Sequence, residues 1–158
     1  MPNQYKYIDL SYLESISEGN SEIINELITI FIEQVPEFTE GFDEGLTQKD
    51  WSKIAAVAHK AKSSVMSMGI NNLGNNDLKN LELLAKQFRI DELITLNDTS
   101  VKSVEELEKL RKNLDSYPKD RKKWILENKN ELKIKELIDI FNITCIEAIK
   151  ELNQVLDN

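Results

Sequence analysis

One cysteine, one histidine, five glycines and three prolines are all that this 158-residue sequence holds of those four residue types. Each scarcity excludes something. Cys145 has no second thiol with which to close an internal disulfide, and its place in an apolar helical repeat predicts a buried side chain. So few glycines and prolines argue against a turn-rich all-β architecture, while abundant Leu, Ile, Glu, Lys and Asn favour helices. No window holds the roughly 18 consecutive apolar residues that a membrane-spanning helix requires. The start, Met1 to Lys6, lacks a basic flank followed by an apolar run, so no secretory signal is expected and a cytoplasmic location is. There is no glycine-rich phosphate loop, and His59 has no second histidine or cysteine at metal-ligand spacing. A stand-alone enzyme or a metal site therefore has little chemistry to draw on.

What is present is enough for one core. A chain of 158 residues with 41% hydrophobic content suits a single compact domain with an appendage. The net charge of −8 is uneven: residues 1–117 hold 12 Lys/Arg against 20 Asp/Glu, and residues 118–158 hold 8 of each. A polyanion would be repelled by the larger part, which disfavours nucleic acid as a partner.

The punctuation marks out a series of helices. Ser11 and Glu14 have the spacing of a capping box, predicting a short helix to about Ser17. Asn20 or Ser21 can cap a second helix with apolar residues Ile24, Leu27, Ile28, Phe31, Val35, Phe38 and Phe42, which Pro36 should kink. Gly45 to Lys49 reads as a loop, Asp50 as the cap of a third helix from Trp51 to near Gly69, and Asn71 to Asn76 as a turn region. Leu78 to Phe88 gives a fourth helix. Ser103 and Glu106 suggest another capping box, opening a helix that Pro118 stops. The expectation is an all-α fold: an antiparallel four-helix bundle over residues 1–117, with a short N-terminal helix and a C-terminal helical extension over 118–158.

The third helix carries the most informative residue. At about 100° per residue, Trp51, Ile54, Ala58, Ala61, Val65 and Met68 share one side, and His59 points roughly 130° away from it. It should be open to water and to a partner. A neutral imidazole is nucleophilic and abundant near pH 7, so it is well suited to hold a phosphoryl group briefly and hand it on. Lys60 and Lys62 add local positive charge, and Lys62 and Ser63 are its neighbours on the next turn. No general base occurs three or four positions away, which suits a carrier rather than a hydrolase.

His59, Lys62, Ser64 and Gly69 stand at the spacing of the histidine-containing phosphotransfer (HPt) domain, and the region from Ile8 to about Tyr117 resembles that family. Phe31 with Pro36, Asp50-Trp51 and Leu81-Glu82 also look like its features. One departure is Ser63, where the family usually has glycine. The resemblance implies a phosphorelay intermediate of two-component signalling. His59 would accept a phosphoryl group from a receiver-domain aspartate and pass it to another receiver, with Lys62 offsetting phosphoryl charge. Lys60, Ser63, Ser64 and Met66 would meet the partner, Gly69 would shape the site, and Mg²⁺ would come with the receiver. Response-regulator receivers and a hybrid histidine kinase are the implied partners; a helical adaptor that binds them without accepting phosphate is the alternative.

The last forty residues fall outside that pattern. Ile134, Ile138, Phe141, Cys145, Ala148, Leu152 and Val155 alternate four- and three-residue steps, a seam that must be covered. It either packs on the bundle or pairs residues 130–156 with a second copy in a homodimer.

Overall fold

The computed structural model describes residues 4–158 and is all-α: among the described residues there is no strand, and none of the helices is long and apolar enough to cross a membrane. The helices are α1 (Ser11–Ser17), α2 (Ser21–Gln48), α3 (Trp51–Ser67), α4 (Lys79–Leu96), α5 (Val101–Asp115), α6 (Lys119–Asn128) and α7 (Glu131–Asp157). A π-helical turn, Leu73–Leu78, leads directly into α4. The turn expected at Asn71 to Asn76 is therefore not formed: these polar residues and Gly74 sit in helical backbone. Gly74 is required there by packing, since a Cβ would lie 2.5 Å from Met66 Cγ.

Several helix ends differ from the sequence expectation for identifiable reasons. Ser11 is the first residue of α1, not its cap: Asp9 Oδ1 accepts from the Ser11 amide at 2.9 Å and from its hydroxyl at 2.6 Å. Asn20 does cap α2, accepting from the Glu22 and Ile23 amides. That helix passes through the exposed Pro36 and continues to Gln48, so Gly45 belongs to it; Lys49, at φ 51°, ends it in the left-handed conformation. Asp50 caps α3 through the Lys53 amide as expected. Ser100, rather than Ser103, caps α5, because Glu106 is drawn away into an ion pair with Arg89.

Pairwise contacts fix how the long helices run. Gln34 meets Ser64 and Gly41 meets Val57, so α2 and α3 are antiparallel. Trp51 stacks near Phe88 and His59 meets Glu82, so α3 and α4 are antiparallel too. Thr39 bonds Asn142 and Lys49 pairs with Glu131, which sets α7 antiparallel to α2.

α7 also lies against the π-helical turn and α4, so α2, α3, α4 and α7 surround one interior. Its seam residues Ile134, Ile138, Phe141, Cys145, Ala148 and Leu152 are all buried on their own chain, and the thiol of Cys145 is pushed up to about 12 by that burial. α5 and α6 pack on α4 and bury one residue each, Leu114 and Ile125. The place next to α2 and α4 that the spacing assigned to the 104–117 helix is thus filled from residues 131–157, because only α7 carries a seam of large side chains long enough to cover α2.

Candidate functional site

α3 presents its site by the pattern of its own side chains. Trp51, Ile54, Ala58, Ala61, Val65 and Met68 are buried as the periodicity requires, and His59 stands on the outer face with 67% of its side chain exposed. Ala56 and Ser63, one turn to either side, and Ser52, two turns before, are small and leave the ring accessible. Ser63, in the position usually held by glycine, is itself exposed.

From the sequence, Glu82 is named only within the Leu81-Glu82 feature and is given no role at the site. Glu82 of α4 is 2% exposed, and its oxygens lie 3.2 and 3.3 Å from His59 Nδ1. No local spacing rule could find this contact, because the partner is 23 residues away on another helix. Burial works to raise the Glu82 pKa, but the hydrogen bond from Lys86, the charges of Lys86 and Lys79, and the His59 contact outweigh it and hold the carboxyl below its ordinary value. Lys86 Nζ is 3.0 Å from Oε2, and Lys79 Nζ is 3.9 Å from Oε1. An ionised carboxylate only accepts hydrogen bonds. Nδ1 of His59 therefore carries the proton, and the lone pair resides on Nε2, the nitrogen on the far side of the ring from Glu82.

The other expected residues are placed unequally. Lys60 is exposed, and Lys62, half-buried one turn past His59, makes no ion pair among the described residues. Ser64 is half-buried and donates to Gln34 Oε1 at 3.2 Å, tying α3 to α2. Met66 is half-buried against Gly74, so packing occupies much of its side chain. Gly69 adopts φ 76° in a spot where a Cβ would sit 2.3 Å from the Asp9 carbonyl oxygen, and the Asp9 amide bonds the Met68 carbonyl there. It holds the residues before α1 against the end of α3.

Two hollows flank the site. A cleft of about 410 Å³ between α3, α4 and α5 is lined by Ser52, Ala56, His59, Lys86, Arg89 and Leu110. Along the other side of α3, Tyr12, Ile16 and Ile30 expose about half of their surface beside Leu27, Gln34 and Ser67, making an apolar groove with α1 and α2.

Residues 26–76 match the family model for the Hpt domain, a span that contains all of α3 and His59 but stops short of Glu82. No curated protein and no solved structure matches the chain.

Proposed function

We propose that this Hpt domain protein is a phosphorelay intermediate, with His59 as the phosphoryl acceptor and α2, α3, α4 and α7 as the four helices that present it. The observation that carries the reading is the histidine itself: exposed, single in the chain, and polarised by a buried carboxylate so that Nε2 offers its lone pair outward.

In this mechanism Nε2 attacks the phosphorus of a receiver's phosphoaspartate. The N–P bond forms as the acyl O–P bond breaks, and the aspartate leaves as a carboxylate. Nδ1 keeps its proton, so positive charge develops on the ring, and the Glu82 carboxylate at 3.2 Å offsets it. Lys62 is assigned to the phosphoryl oxygens as a point charge. The reverse attack by a second receiver's aspartate discharges the ring. Glu82 is sealed behind the imidazole and so is not placed to activate water at Nε2. The receiver would bring Mg²⁺ and seat on the apolar groove of Tyr12, Ile16 and Ile30, over α2 and α3. Lys60 and Ser63 lie on the open face for such a partner; Ser64 and Met66 serve it from within the packing. A cytoplasmic location, where receivers and hybrid kinases meet their carriers, belongs to the same proposal.

The test is phosphotransfer profiling. The purified protein is mixed with a panel of labelled receiver domains, and an acid-labile, alkali-stable adduct is sought. The wild type is expected to take label from at least one receiver, and His59→Gln, with unchanged helicity, from none. Label retained on the variant would remove the assignment.

A further inference from the structure

The cluster behind His59 contains more than the proposed mechanism uses. Glu82 is a nearly inaccessible carboxylate whose two oxygens both face Nδ1, at 3.2 and 3.3 Å, and Lys86 holds one of them, Oε2, at 3.0 Å. Lys86 in turn donates to Asn113 Oδ1 at 2.9 Å, so α5 fixes the ammonium from the outer side. The remaining charged neighbours are committed elsewhere or stand farther off. Lys79 is 3.9 Å from Oε1 and lies over the Tyr117 ring at 4.7 Å. Arg89 is engaged by Glu106 and Glu92. Arg121 of α6 bonds Asn80.

We propose that Lys86 is a positioning residue for phosphoryl acceptance: by neutralising Glu82, it keeps His59 neutral and directs the free lone pair to Nε2. The reasoning follows from what a buried carboxylate does without its cation. A charge sealed at this depth must be paired or be lost. With Lys86 present, Glu82 is satisfied as an anion and needs only a neutral N–H from the ring. Without it, the best remaining partner is an imidazolium, and the repulsion between Lys86 and a protonated ring disappears as well. Both changes favour the charged ring, which has no lone pair on either nitrogen and cannot attack phosphorus. The held-down Glu82 pKa, with Lys86 first among the groups that lower it, agrees with this arrangement. Lys86 touches neither donor nor phosphoryl group, so its effect is exerted through Glu82 and the ring.

His59 is the only histidine, so the imidazole nitrogens of the ¹⁵N-histidine-labelled full chain report this one residue. The comparison is wild type, Lys86→Met, which keeps an unbranched apolar side chain without the charge, and Lys86→Arg. In Lys86→Met the imidazole nitrogens are expected to move toward the doubly protonated form at neutral pH, since the carboxylate they share has lost its other cation. Phosphoryl acceptance at neutral pH should fall several-fold and recover as the pH is raised, and Lys86→Arg should restore both readouts. A folded Lys86→Met variant with the wild-type protonation midpoint and the wild-type tautomer would overturn the inference. The functional half rests on the carrier reading, and the two fail separately: absence of labelling in the wild type defeats that reading, whereas the nitrogen spectra decide the role of Lys86 regardless.

Discussion

Phe141 of α7 stands edge-on to Phe42 of α2, with ring centroids 5.3 Å apart and planes inclined at 76°, and both rings are fully buried. Phe38 approaches the same ring from the next turn. The C-terminal helix is thereby built into the core that supports α3. Phe141→Ala should cost about 3–5 kcal/mol, read from the denaturant midpoint at unchanged m-value. By the same packing, removing residues 131–158 should leave α2 with an open apolar flank and a chain that melts without a cooperative transition.

The Glu82 cluster makes a pH-dependent contribution to stability whose sign is set by the lowered carboxyl pKa. A group held below its unfolded value stabilises the fold above that unfolded value, 4.5 for a free glutamate, and the contribution is lost as the pH falls through the folded value. Glu82→Gln should therefore lower stability at neutral pH, and its deficit against the wild type should shrink as the pH is taken below 4.5. Parallel denaturation series across that range give the comparison; a deficit independent of pH would contradict the cluster.

Much of this architecture is legible in the sequence, and the exceptions have physical causes. The buried face of α3 and the exposure of His59 followed from periodicity alone, because a two-sided helix in a small domain has one way to bury tryptophan, isoleucine and valine. The caps at Asn20 and Asp50 followed from side-chain chemistry next to an apolar repeat. Ser11 and Ser103 misled because a serine three residues before a glutamate also occurs inside a first turn, where Asp9 and Ser100 compete as better-placed acceptors. Gly45 read as a loop residue, yet its lack of a side chain serves close approach: a Cβ there would lie 2.6 Å from Ile54 Cγ1. The contact of Glu82 with His59 was illegible in principle, since it depends on the register between two helices.

Gly69 offers a separate check on how the site is held. Its φ of 76° and the 2.3 Å clearance between a built Cβ and the Asp9 carbonyl oxygen leave no room for alanine. Gly69→Ala should destabilise by more than about 1 kcal/mol, since strain and overlap act together. Thermal melts would record it as a lowered Tm.

Glu151 on α7 accepts from three consecutive backbone amides, those of Lys6, Tyr7 and Ile8, at 2.8, 2.8 and 3.1 Å. Glu151→Ala removes the acceptor of the part-buried Tyr7 amide, a cost of about 1–3 kcal/mol for an unsatisfied group. Hydrogen exchange should quicken at residues 6–8 while the amides of α3 keep their protection; unchanged exchange at 6–8 would show that the clamp is dispensable.

That clamp seats residues 6–8 beside the last turns of α7. A short linker from the end of α7 to the segment just before Lys6, with new ends opened in the exposed stretch at 97–100, should yield a circular permutant with the same helices in the same places. Equally, a pair of dyes at the exposed positions Lys6 and Gln154 would sit within efficient energy-transfer range and lose signal once α7 lifts away, which gives a direct optical gauge of whether the last helix ever leaves its seat.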